Sequence, residues 1–387
     1  MKIHLTNLIV LLLIVNNATA QTLPKPNHVV LVMLENKGYN NIVGSSNAPY
    51  INSLIGDTNC ALFSDSHGIT HPSQPNYLHL YSGDNQGVTN DNQPSGTPYS
   101  TCNLGASLIG NGYTFKGFSE DLPAVGDPIF TAGTYVKRHC PWAYWIGTGT
   151  NQISATTHQP YSNMPTNLDS LPTVSFIIPN NAHNMHDPFL LSSVAISAGD
   201  TWLSNNLPAL VTWAKSGNNL LIIHYDEDES LLGLPTANTI ATMFIGKMVQ
   251  GGTYNNNFNH HDLLKTIADM YTIPACGGSA SKQAIINCWR PQTANALHHI
   301  SNQANVVTIY PMPATQTMQV TIENSSANEM TSITLYDIAG KLVQRSAATL
   351  TKGNNTLTID VNNLHAGTYL MHVLSNTINE SEKIQIK

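Results

Sequence analysis

Four short runs of consecutive apolar residues limit what this chain can fold into: HVVLVML (28–34), VSFIIP (174–179), NLLIIHY (219–225) and ATMFIG (241–246). Each has the length of a strand, and none shows the polar residue at every second position that a half-solvated strand carries. Such runs suit strands covered on both faces. Between them lie segments of helical period. GDTWLSNNLPALVTWAKSG (199–217) gathers Trp202, Leu203, Leu207, Leu210 and Val211 on one side, with a kink or break expected at Pro208. NHHDLLKTIADMYTI (259–273) gathers Leu263, Leu264, Ile267 and Met270. This alternation predicts an α/β domain around a mostly parallel sheet. From about Asn85 to Pro172 the chain is rich in Gly, Pro, Thr and Asn, and YTFKGFSE (113–120) is its best strand. Long loops of this kind wall binding sites; Trp142, Tyr144 and Trp145 either line one or pack in the core.

Three of the runs end abruptly in polar residues. HVVLVML meets Glu35-Asn36, VSFIIP meets NNAHNMHDP with His183, His186 and Asp187, and NLLIIHY meets the acidic stretch Asp226 to Glu229. Ligands of parallel α/β sheets sit outside the carboxyl ends of the strands, so these clusters are expected to converge. Ser73, in GITHPSQPNYLHLYSG (68–83), would join them from a helix start. Serine is a favoured N-cap, and proline suits the first helical position. A helix N-terminus is also a seat for a phosphate that an exposed hydroxyl attacks. Taken singly, each cluster has an ordinary explanation. Ser73 and Glu35-Asn36 could be caps, the acidic run a solvated loop, and His183 with Asp187 a surface ion pair four residues apart. His260-His261 could be polar filler at a helix start. Their coincidence at one end of one sheet favours chemistry.

Carboxylates that converge repel one another unless a cation neutralises them. Oxygen donors on Glu35, Asn36, Asp226 and Glu227, with imidazoles nearby, suit a hard or borderline divalent ion. Such an ion would depress the pKa of a coordinated Ser73 hydroxyl and make it a nucleophile. His186 and His260 are then candidates to hold phosphoryl oxygens or protonate a leaving alcohol.

The first twenty residues carry an early lysine, an apolar run from Leu8 to Val15, and Ala18-Thr19-Ala20. They read as an export signal, with Gln21 the new N-terminus. The apolar run is too short for a stable anchor, and no later segment reaches spanning length. Charged residues make up 10% of the chain, against about 25% in ordinary soluble domains. The net charge is -7 with no basic block, which argues against a nucleic-acid partner. Of five cysteines, Cys276 and Cys288 are the expected pair, and the odd count leaves at least one thiol. After Asn302 the pattern turns to period-two alternation with Gly and Asn turns, a small all-β sandwich. The expected organisation is a signal peptide over 1–20, a catalytic domain over 21–301 and a β-sandwich over 302–387.

Residues from about 28 to 290 resemble the phosphoesterase family of bacterial and fungal phospholipases C and acid phosphatases, a branch of the alkaline-phosphatase-like fold. The resemblance lies in VMLENKGYNNIVG, APYINSL, THPSQPNYLHLYSG, VSFIIPNNAHNMHD, GDTWLSNNL, IIHYDEDE and NHHDLLKTIADMY, in that order. It implies a covalent phosphoenzyme on Ser73, with Glu35, Asn36 and Asp226-Glu227 around a metal ion of unknown identity. His186, Asp187 and His260 match polar positions of the family's site, and Asn36, His183 and Asp187 are the expected substrate contacts. Asn184 stands where similar members carry Asp, and Asn259-His260-His261 where they read NHY. The tail resembles the type A sorting domain of type IX secretion cargo, through Tyr310-Pro311, Pro313-Ala314, LYDIAGKLV and LHAGTYLMHV, with Met312 where Asn is usual. That resemblance implies export by the type IX machinery across the outer membrane. The leading expectation is a secreted phosphomonoesterase working through phosphoserine. A phospholipase C-type phosphodiesterase and a non-catalytic surface binding protein are the alternatives.

Overall fold

Residues 23–188, 190–229, 236–290, 307–324, 328–338, 340–375 and 378–387 are described by the computed structural model. The expected signal peptide and the expected boundary at 301/302 lie outside them. The chain divides into two units between Gln292 and Thr293. In order, the first holds β1 (His28–Leu34), α1 (Tyr39–Ile42), α2 (Pro49–Leu54), β2 (Cys60–His67), α3 (Ser73–Ser82), α4 (Leu104–Gly110), β3 (Phe115–Ser119), β4 (Thr131–Ala132) and β5 (Tyr135–Val136). It continues with β6 (His158–Pro160), β7 (Val174–Ile178), α5 (Ser192–Asn206), α6 (Pro208–Ser216), β8 (Asn219–Tyr225), β9 (Thr239–Ile245), β10 (Gly252–Tyr254), β11 (Phe258–Asn259) and α7 (His260–Met270).

The main sheet runs β10-β2-β9-β8-β1-β7-β3-β6, with β11 also beside β2. β1 lies parallel to both β7 and β8, and β3 parallel to β7 and β6. The tips of β1, β7 and β8 therefore share one end, as expected. β9 runs antiparallel to its neighbours β8 and β2. No helix is found among the described residues between β8 and β9, and an antiparallel return needs no crossover helix. The start of β9, rather than its end, thus faces the shared tips.

The continuous apolar pattern is explained by cover on both faces. Val29, Leu31 and Met33 of β1 pack with Tyr77 and Leu78 of α3, Leu104 of α4 and Leu263 of α7. Val30, Val32 and Leu34 pack with Ile196 of α5 and Leu210 of α6 on the other face. The result is a three-layer α/β unit. Pro208 breaks the predicted long helix into α5 and α6, occupying the first turn of α6 where its missing N–H costs nothing. Trp142, Tyr144 and Trp145 are core residues, at most 1% exposed, and do not wall a site. The expected Cys276–Cys288 pair is also corrected. Cys102 bonds Cys276 across a separation of 174 residues, and Cys60, Cys140 and Cys288 are free and buried. The start of α4 and the segment after α7 pack into the same core, a proximity that sequence spacing does not reveal.

The second unit holds β12 (Val307–Tyr310), β13 (Thr317–Asn324), β14 (Glu329–Asp337), β15 (Leu342–Leu350), β16 (Gly353–Asp360), β17 (Gly367–Leu374) and β18 (Asn379–Ile386). Sheets β12-β13-β16 and β15-β14-β17-β18 are antiparallel and share a core of Met318, Val320, Leu335, Met371 and Val373. Among the described residues, no helix is long and apolar enough to cross a membrane.

Gly199 of α5 faces the loop after β7. A β-carbon there would overlap Met185 Cγ and stand 2.8 Å from the His183 carbonyl oxygen. Gly199→Ala is therefore expected to destabilise the fold by about 1–3 kcal/mol through overpacking and to lower activity by displacing this loop. Denaturant unfolding beside a turnover assay checks both; an unshifted midpoint would contradict the packing described.

Candidate active site

The site is built where β1 and β8 end. The Glu35 N–H donates to the Asn184 carbonyl and the Asp226 N–H to the Leu34 carbonyl, tying the loop after β7 to both tips. Asn36 turns the chain with φ of 54°, a left-handed conformation that asparagine tolerates. Its backbone N–H donates to Asp226 Oδ1 at 2.8 Å. Ser73 is the first residue of α3, behind Pro72, and it is not a cap. Its hydroxyl stands 2.9 Å from Glu35 Oε2 and 3.2 Å from Glu227 Oε1. The serine expected to be exposed is 3% accessible, because it points into these carboxylates. One turn along α3, the Asn76 amide donates to Glu227 Oε2 at 3.0 Å. The Gln74 N–H donates to Asp91, which supplies the helix start with the acceptor that Ser73 does not.

Of the expected histidines, His186 pairs through Nδ1 with Asp187 at 2.7 Å. His183 pairs with Glu120 at 2.9 Å, which removes the ion pair with Asp187 considered above. His260 is wholly buried, with Nε2 2.6 Å from the Asp226 carbonyl oxygen and Nδ1 2.9 Å from His224. Both its nitrogens are engaged within the protein, so the role of touching substrate passes from His260 to other groups. Burial drives its pKa down to about 3. Met185, between Asn184 and His186, has φ of 79°, a strained value for its side chain. The Tyr225 hydroxyl, donating to Met185 Sδ at 3.2 Å, helps to hold it.

Sequence reasoning missed several neighbours. His139 Nε2 lies 3.2 Å from Glu35 Oε1, and its ring stacks on Tyr77. His71 approaches Glu227 at 3.4 Å and Asp228 at 3.2 Å. Buried Lys37 donates to the Asn36 carbonyl and to Glu229. Asn76, one turn after Ser73 on the same helix, could have been found from its spacing. His139 ends a single 3-10 turn, Lys137–His139, whose composition carries no such signal.

Residues 45–274 match the Phosphoesterase family. A phosphatidylinositol-3-phosphatase of Mycobacterium tuberculosis is 39% identical over 70% of this chain and 85% of its own length. This chain belongs to the phosphoesterase family. An acid phosphatase of Aspergillus fumigatus is 23% identical, matched over 65% of this phosphoesterase and 56% of itself. An alkaline phosphatase superfamily protein from Vibrio parahaemolyticus aligns at a TM-score of 0.49 and 12% identity, over 84% of this chain and 86% of its own. Residues 308–387 match the secretion system C-terminal sorting domain. The phosphoesterase is thus a phosphoric ester hydrolase with a sorting tail.

Its buried charge is the property that matters. Glu35 and Asp226 are wholly buried and Glu227 nearly so. Burial first, and then Asp226, hold the Glu35 carboxyl well above its ordinary range. Burial, Asp226 and Glu35 push Glu227 up to about 11, and burial pushes Asp226 up to about 6. Asp226 Oδ2 is buried without a hydrogen-bond partner, and Glu35 Oε1 has only the His139 ring at 3.2 Å, too poorly aligned for a hydrogen bond. Among the described residues, no three His, Cys, Asp or Glu side chains stand together as a finished cage for an ion. The donors nevertheless fit a hard cation: two orphaned carboxylate oxygens, a third carboxylate and one hydroxyl.

The raised values fix a sign. In metal-free protein the folded state holds these protons more tightly than the unfolded chain, so their contribution is fully present below the ordinary carboxylate range and lost as pH rises through the folded values. Chelator-treated protein is therefore expected to melt at lower temperature at about pH 8 than at about pH 5, and Glu227→Gln to reduce that loss. Melting curves of both proteins at both pH values check this; a wild-type Tm equal at the two would contradict it.

Proposed function

We propose that this chain is an exported, metal-dependent phosphomonoesterase that works through a phosphoserine on Ser73. The observation carrying the reading is the Ser73 hydroxyl at the start of α3, within 2.9 Å of Glu35 and 3.2 Å of Glu227. A divalent cation held by Glu35, Asp226, Glu227 and Ser73, with Asn36 beside them, would lower the hydroxyl pKa and neutralise phosphoryl charge. The proposal makes Ser73 Oγ attack phosphorus while its proton passes to a carboxylate oxygen already touching it. The Oγ–P bond forms as the ester P–O bond breaks, and the leaving alkoxide takes a proton from His186. Asp187 holds that imidazole in place. Water then attacks the phosphoserine and gives its proton to the deprotonated His186, the P–Oγ bond breaks, and the carboxylate returns its proton to Ser73 Oγ. His139, which touches Glu35, and His71, which touches Glu227, would orient the carboxylates. Asn36 and Asp187 remain the proposed substrate contacts. His183, held by Glu120, is proposed to contact the alcohol portion of larger substrates.

A monoester substrate is supported by the relatives' names, which are those of phosphatases acting on phosphatidylinositol 3-phosphate or at acid pH. Export is supported by the sorting tail, and we read the first twenty residues as its signal.

Ser73→Ala should fold and lose at least about a thousandfold in turnover of a soluble aryl phosphomonoester. Acid quenching of wild-type turnover, followed by peptide mass spectrometry, should find phosphate on Ser73. Turnover persisting in folded Ser73→Ala would overturn the nucleophile assignment, and a strong preference for a phosphocholine diester would overturn the substrate class.

A further inference from the structure

We infer that His224, backed by Thr242 and Ser66, is a positioning residue that fixes both carboxylates at the tip of β8 through a one-directional hydrogen-bond chain ending on His260. The inference rests on the reading of Asp226 and Glu227 as site carboxylates. His260 Nε2 lies 2.6 Å from the Asp226 carbonyl oxygen, and His260 Nδ1 lies 2.9 Å from His224 Nε2. His224 Nδ1 lies 2.7 Å from Thr242 Oγ1, which is 2.8 Å from Ser66 Oγ. All four side chains are wholly buried.

A carbonyl oxygen can only accept, so His260 must carry its proton on Nε2. In a neutral ring Nδ1 is then an acceptor, and His224 must donate to it from Nε2. That leaves His224 Nδ1 as an acceptor, facing the Thr242 hydroxyl at 2.7 Å. The Thr242 hydroxyl also donates to Ser66 Oγ, so its one proton is shared between the two acceptors. Every ring tautomer is thus dictated by one main-chain carbonyl. The sheet is shaped for this chain. His224 and Thr242 are cross-strand partners on β8 and β9. The register of β2 against β9 slips between Phe63 and Ser66, a bulge of the kind that re-aims a side chain near a site.

The carbonyl so held belongs to the peptide joining Asp226 to Glu227. Its orientation sets where the Glu227 side chain departs, while the Asn36 N–H holds the Asp226 side chain at 2.8 Å. Four buried polar side chains, three on strands and one at the start of α7, are costly unless all are satisfied, and this chain satisfies them by fixing a peptide plane.

Two measurements decide it. Nitrogen-15 NMR of the full chain labelled at histidine should show both His260 and His224 protonated on Nε2 and bare on Nδ1; a proton on Nδ1 of either ring overturns the chain. This readout does not use activity, so it stands apart from the proposed function, which fails separately if the wild type hydrolyses no phosphate ester. In kinetics, His224→Leu should lower kcat for a soluble phosphomonoester by about 10- to 100-fold, leaving KM within about twofold. His224→Gln keeps a donor and an acceptor and should recover most of that loss. A folded His224→Leu with wild-type kcat, or a His224→Gln as impaired as His224→Leu, overturns the positioning role. Should His224→Leu not fold, the tautomers in the wild type still decide.

Discussion

Repulsion among Glu35, Asp226 and Glu227 is the constraint on which this site depends. Two of these carboxylates touch the same hydroxyl oxygen, so their nearest oxygens are separated by no more than the sum of two hydrogen-bond lengths. Two charges about 6 Å apart in a partly screened interior repel by about 3 kcal/mol. A neutral hydrogen bond returns about 1 kcal/mol, so the Ser73 hydroxyl cannot balance this alone. Either protons or a cation must occupy the cluster, and the proposed mechanism places a cation there.

The fold holds that unfavourable arrangement by fixing its backbone at many points. Parallel β1 and β8 bring Glu35 and Asp226 to the same end without any loop choosing to do so. The Asn36 N–H, the Asn76 amide and the His260 ring each hold a carboxylate or the peptide beside it. Lys37, the buried ammonium next along the chain, makes its ion pair with Glu229 rather than with a carboxylate of the cluster.

The sheet, its covering helices and the convergence of Glu35, Ser73, Asp226 and Glu227 were legible because apolar runs broken by polar residues report strand tips directly. The direction of β9 was not legible, since an apolar run reads the same either way. The disulfide was misread for a related reason: Cys102 and Cys276 meet through the packing of α4 against the segment after α7, and spacing favours the nearer Cys288. His260 turns to the Asp226 carbonyl and to His224, contacts that a sequence does not show. His139 was missed because it reaches Glu35 from a single 3-10 turn with no periodicity to place it.

The metal content of purified full-length protein tests the central claim most directly. Elemental analysis of the wild type beside Asp226→Asn and Glu35→Gln should find about one divalent ion per wild-type chain and strongly reduced occupancy in both variants. Activity of the wild type should fall with the ion under chelation and return when the ion is restored. Full phosphatase activity in protein shown to hold no metal would contradict the account.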